Sequence, residues 1–197
     1  MTARRWTRAI LCSAWSAAAA ALLACVAVVR ADVLDGVLAV RSAYISVGGG
    51  VFELHARVQY PVNDEIRTAL HDGSVLLADL DVSVARERRF WFDAEVVSIT
   101  LRRELSFHTV SDRYVVRDVR SGIQRSFPTL EEALAALGAI DGVPILVEPQ
   151  LSNEARYRVS VRAGIRRGHL PDALRRIMFW SDDWHRASEW YAWSLPR

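Results

Sequence analysis

Lysine is missing from all 197 residues, so each of the 25 basic side chains is an arginine. Lysine Schiff-base chemistry is thereby excluded. Arginine suits bidentate anion contacts, but an absence this complete marks a GC-rich coding bias rather than selection at a site. Cysteine is nearly as scarce: Cys12 and Cys25 are the only two, and both precede residue 32. A chain trimmed there has no disulfide, no thiol nucleophile and no cysteine-held metal. Gly-x-Ser-x-Gly, His-Glu-x-x-His, P-loop and Gly-x-Gly-x-x-Gly patterns are all lacking. The five histidines, His55, His71, His108, His169 and His185, show no ligand spacing along one helix or strand. No cofactor, no metal and no catalytic residue is expected on these grounds.

What is present begins with residues 1–31. Arg4, Arg5 and Arg8 precede an uncharged apolar run, Ala9 to Val29, which closes at Val29-Arg30-Ala31 before Asp32. A positive flank, an apolar middle and a small-residue exit form an export signal. Cleavage after Ala31 is the leading expectation, because the many alanines make the run only moderately apolar. Retention of residues 9–29 as a membrane anchor comes second, since the run matches the ~20 residues of a spanning helix. Lipidation at Cys25 comes third, weakened by Leu23 ahead of it and by apolar Val26 to Val29 behind it. The expected location is periplasmic or extracytoplasmic, with membrane contact through the N-terminal segment.

The leader also distorts the charge. Its four arginines (Arg4, Arg5, Arg8, Arg30) face no acid, so residues 32–197 carry 21 basic and 23 acidic side chains, a net of −2 against +2 for the whole chain. A nucleic-acid partner is not expected from that balance. Residues 32–197 are long enough for a single domain with a real core.

Period-two hydrophobicity dominates that domain. Phe52, Leu54, Ala56, Val58 and Tyr60 alternate with polar residues, and Gly48-Gly49-Gly50 turns the chain back from a strand near 38–47. Leu76, Ala78, Leu80, Val82 and Val84 line the next strand, and Val97, Ile99, Leu101, Leu105 and Phe107 its return. Arg103 falls on that apolar face, which calls for a bulge or a buried ion pair. A short hairpin is expected around Gly122, a strand over Tyr157–Ile165, and a last strand from Trp184 to Leu195. Three helices interrupt the strands: one capped by Asn63, one opened by the Thr129-x-x-Glu132 capping box and ended by Gly138, and one opened by Pro171. The expected fold is mainly β, an antiparallel immunoglobulin-like β-sandwich with three short helical inserts; an open eight-stranded β-barrel is the alternative.

Several segments together carry a family resemblance. They are Tyr60-Pro61-Val62-Asn63-Asp64-Glu65-Ile66-Arg67 with Ala69-Leu70, Phe90-Trp91-Phe92, Arg113-Tyr114-x-Val116, Phe127-Pro128-Thr129-Leu130-Glu131-Glu132-Ala133-Leu134, and Ser188-Glu189-Trp190-Tyr191-x-Trp193. In this order the chain resembles the domain of unknown function 4390 family of Gram-negative envelope proteins. The resemblance implies an exported single-domain protein and carries over no activity and no catalytic residue.

Four surface features remain. Phe90-Trp91-Phe92 at a hairpin tip, flanked by Arg86, Arg88 and Arg89, cannot turn all three rings inward; Arg88, Arg89, Phe90, Trp91 and Phe92 are the candidate partner-binding residues. Trp190, Tyr191 and Trp193 form a candidate ligand platform, although a Trp-rich strand more often supplies core and an aromatic lid. Arg156, Arg158, Arg162 and Arg166 line the polar side of one strand and are expected to be countered by acids across the sheet. His55 and His108, both on outward faces, would meet only across a sheet, and Asp182-Asp183 near Glu189 fits a turn better than a calcium site. The expectation is a non-enzymatic module that binds an envelope protein partner, a membrane protein included. The alternatives are a glycan or small-ligand binder, or a hydrolase whose site is assembled by the fold.

Overall fold

The computed structural model describes residues 36–88, 93–152, 155–168 and 185–195. In chain order the elements begin with strands β1 (Ala39–Gly48) and β2 (Val51–Gln59), helix α1 (Asp64–His71), and strands β3 (Leu76–Arg86) and β4 (Ala94–His108). Strands β5 (Arg113–Asp118) and β6 (Gln124–Phe127), helix α2 (Leu130–Gly138) and strand β7 (Ala139–Val147) follow. A 3₁₀ turn over Glu148–Gln150 leads to β8 (Tyr157–Arg167), β9 (His185–Ala187) and β10 (Tyr191–Ser194).

The strands form two antiparallel sheets and close into no barrel. One sheet has the order β1-β2-β7; the other runs β10-β8-β3-β4-β5-β6, with β9 also pairing β8. The alternating apolar residues of β2, β3 and β8 are buried, and their inward faces share one core with the apolar side of α2. β3 is the spine of the larger sheet, pairing along its whole length with β4 on one side and β8 on the other. Tyr60, just past β2, is deep in this core, and burial pushes its phenol pKa far above the usual value.

Local chemistry starts both helices. The Asn63 side chain accepts from the Ile66 N–H at 2.8 Å, and Asp64 and Glu65 sit in the first turn of α1. Thr129 accepts from the Glu132 N–H at 3.3 Å to open α2, which buries Leu130, Ala133, Leu134 and Leu137. The third expected helix, from Pro171, lies outside the described residues, which contain two α-helices and the 3₁₀ turn.

Three expectations change in detail. His55 on β2 and His108 on β4 belong to different sheets, so they do not meet. The last strand is divided into β9 and β10: Ala187 faces Gly164 and Tyr191 faces Val161, so Ser188, Glu189 and Trp190 oppose only two residues of β8. This is a bulge on an edge strand, held by Ser188, whose N–H donates to the Ala163 carbonyl and whose hydroxyl accepts from the Ala163 N–H. Strand β7 is an addition that the alternation did not announce. No helix among the described residues is long and apolar enough to cross a membrane.

Candidate functional site

Five segments converge at one end of the two sheets. Gly49 and Gly50, with φ of +58° and +77°, close the β1–β2 hairpin and set Val47 and Phe52 side by side. The 3₁₀ turn docks there through its Glu148 N–H, which donates to the Gly50 carbonyl at 2.8 Å. The Tyr157 hydroxyl accepts from the Ser152 N–H at 2.8 Å, and the Tyr157 carbonyl accepts from the Leu195 N–H at 2.9 Å. Between these segments opens a cleft of about 800 Å³ with an apolar floor of Val47, Phe52, Leu151, Ala155, Tyr157 and Leu195. Glu148, Ser152, Arg156 and Ser194 form its polar rim.

A second cleft, of about 840 Å³, adjoins it and shares Ala155 and Arg156. Its other walls are Arg86, Glu87, Arg88, Asp93 and Arg158. Two of its charges are committed: Glu87 accepts from Arg158 at 2.9 Å, and Asp93 accepts from the Arg88 backbone N–H at 3.2 Å. The Glu87 N–H donates to the Arg156 carbonyl at 2.9 Å, which fixes the β3 end against the start of β8. Arg86, Arg88 and Arg156 are exposed and have no carboxylate partner among the described residues. The result is a cationic wall joined to an apolar trough, able to hold an anion and an apolar group together.

Of the expected tip, Arg88 lies on this wall, while Arg89, Phe90, Trp91 and Phe92 lie outside the described residues. The trough itself had no local signature, because its floor comes from β1, β2, the 3₁₀ turn, β8 and the chain end. Only the positions of Arg86 and Arg156, named as a flank and a stripe, pointed towards it.

The other features fall elsewhere. Trp190 is 50% and Tyr191 39% exposed, and Trp193 packs partly on the core. Tyr191 and Trp193 share the face of Val161 and Val159, while Trp190 lies under the Arg162 guanidinium at 5.7 Å. These rings line neither cleft. Of the arginine stripe, Arg158 meets Glu87 and Arg166 meets Asp79 at 3.5 Å as expected, whereas Arg162 donates to the Ser188 carbonyl and Arg156 meets no carboxylate among the described residues. Asp182 and Asp183 lie outside the described residues.

The outward side of the smaller sheet carries a cluster that sequence spacing did not show. The Ser46 hydroxyl is 3.0 Å from His55 Nε2, and His55 Nδ1 is 3.9 Å from an Asp141 oxygen. The residue types suit nucleophilic catalysis, but the geometry does not. Asp141 is held by Arg57 at 2.8 Å, beyond hydrogen-bond reach of the imidazole. Tyr44 stacks flat on the imidazole at 4.8 Å, and none of the three residues lines either cleft. A second histidine, His71, is stacked on Phe107 at 3.8 Å and lies 3.1 Å from the Tyr114 hydroxyl, which fastens α1 to β4 and β5. Nearby, Arg67 reaches across to Glu131 at 3.0 Å and links α1 to α2. The Glu131 carboxyl is held below its usual range by its own backbone N–H and by that guanidinium. No group of three metal-ligating side chains is assembled among the described residues.

The family model described as Domain of unknown function (DUF4390) matches residues 37–194. No curated protein and no solved structure matches the chain.

Proposed function

The chain belongs to the DUF4390 family, and from that premise we propose that it is an exported, non-enzymatic interaction module of the cell envelope. Its contact surface is the cleft end of the two sheets. One observation carries this: Arg86, Arg88 and Arg156 converge, without carboxylate partners among the described residues, beside an open apolar trough. Charges left uncompensated at one end of a domain of net −2 are a surface for an outside partner rather than part of the fold. The two-sheet core fits an immunoglobulin-like sandwich that presents loops at its end.

The test is an envelope pull-down with the wild type and with Arg86→Glu, Arg88→Glu and Arg156→Glu. Loss of a defined partner from the variants supports the reading, and an unchanged partner set overturns it. N-terminal sequencing of the envelope form is expected to begin at Asp32. A glycan or small-ligand reading rests on the exposed Trp190 and Tyr191. Saturable quenching of tryptophan fluorescence by peptidoglycan fragments, lost in Trp190→Ala, would favour it instead.

A further inference from the structure

We propose that the apolar trough and the arginine cleft form one composite site for an acidic peptide segment anchored by a single large apolar side chain. This rests on the protein-interaction reading above and gives the partner's chemistry. Two features set the polarity of the ligand. Elsewhere in the described structure Arg57, Arg67, Arg102, Arg103, Arg117 and Arg166 each meet a carboxylate. Arg86, Arg88 and Arg156 meet none among the described residues. Arg41, Arg113, Arg125, Arg162 and Arg167 also meet none but find an amide, a carbonyl, a hydroxyl or a ring, whereas these three border a single cavity, where carboxylates supplied from outside can pair with them. The second feature is continuity. Ala155 and Arg156 belong to both cavities, so a chain bound along the arginines passes directly over the apolar floor.

The trough, at about 800 Å³, has room for a leucine or an aromatic side chain with its flanking backbone. Its rim decides between a peptide and a lipid. Ser152, Ser194, Glu148 and Arg156 supply both donors and acceptors around the apolar floor. Peptide amides satisfy such a mixed rim, whereas an acyl chain leaves it unpaired. Glu148 puts a carboxylate on the trough rim, which selects against a ligand that is anionic along its whole length.

A random dodecapeptide display library panned on the full-length chain tests the proposal, with Arg156→Glu and Val47→Asp as counter-targets. Val47 is exposed, so its replacement leaves the core intact; an unchanged melting temperature verifies this. The expected consensus is one Leu, Phe or Trp flanked by Asp and Glu. A peptide of that consensus should bind at least tenfold more weakly to either variant, and should lose affinity when salt is raised. A basic or anchor-free consensus overturns the proposal, as does selection that neither variant disturbs. So does competition of the peptide by phosphatidylglycerol vesicles, because the site would then belong to a lipid. If arginine reversal removes the envelope partner while no acidic, anchored consensus emerges, the interaction reading stands and this inference alone fails. If the partner set is also unchanged, both fail.

Discussion

Arg103 shows how a single side chain on the wrong face is accommodated. Its guanidinium donates to the carbonyls of Ala136, Leu137 and Ala139 at 3.1, 3.1 and 2.7 Å and meets Asp118 at 3.5 Å. Those carbonyls lie at the C-terminal end of α2, where helical acceptors lack partners and the dipole is negative. The ion pair expected from sequence is there, and the helix-end carbonyls are the part that no local pattern encodes. Arg103→Met should destabilise the protein by about 3 kcal/mol in urea unfolding, because buried acceptors lose a charged donor. Arg117→Met, which removes an exposed 3.5 Å contact with Glu104, should cost about 0.5 kcal/mol or less. Asp118 adds a pH dependence. Burial acts to raise its pKa, but hydrogen bonds from Ser121 and Arg120 and the charge of Arg103 outweigh it and hold it below the ordinary 3.8. A depressed pKa contributes stability that is complete above the unfolded value and is lost as pH falls through the folded one. The stability advantage of wild type over Asp118→Asn should therefore shrink below about pH 4 in acid titrations of the urea midpoint. The Ser46–His55–Asp141 cluster yields a negative expectation. A fluorophosphonate probe should leave Ser46 unmodified in intact-mass spectra, and stoichiometric labelling lost in His55→Ala would restore the hydrolase reading.

Elements were legible where burial alternates. Strands β2, β3 and β8 each have one face in the core and one in solvent, so period two shows plainly in their residues. Strand β7 has Gly142 at φ +62° and Pro144 opposite Glu53, and its pairing with β2 shifts register twice. An edge strand tolerates a proline and a bulge, and both erase the alternation by which it would be recognised. The division of the last strand had the same cause: the bulge at Ser188–Trp190 adds one residue and turns Trp190 to the side of Arg162. Gly138 was legible as a helix end but not for the right reason. A Cβ built there would lie 2.0 Å from the Val58 carbonyl oxygen, so it is a close approach of α2 to β2, rather than a positive φ, that demands glycine. Gly138→Ala should consequently cost about 3 kcal/mol or more, since backbone and not a flexible side chain must yield. Gly122→Ala, at φ +72° with open space around it, should cost about 1 kcal/mol. Parallel thermal melts of the two variants check the ranking.

At the scale of the whole molecule, charge is arranged differently on the sheet faces and at the cleft end. On the outer face of the larger sheet, Arg102 and Arg166 both reach Asp79, Thr100 donates to Asp81 and Arg117 meets Glu104. That face is internally balanced and presents little net field. Arg86, Arg88 and Arg156 meet no carboxylate among the described residues, and the end of β3 and the start of β8, which gather them, are far apart in the chain, which is why no stretch of sequence displays the site. The two groups of arginines should separate experimentally. Arg88→Glu combined with Arg156→Glu breaks no described ion pair, so its urea midpoint should match wild type while association with the envelope partner slows at least tenfold. Arg102→Glu places a like charge beside Asp79, which should cost about 1 kcal/mol of stability and leave association unchanged. Raising salt from low to physiological strength should diminish the difference in association rate between wild type and the double variant, because the steering field is screened over roughly 10 Å. If Arg102→Glu slowed association as much as the double variant, recognition would depend on the net charge of the domain, and the cleft end would lose its claim as the contact surface.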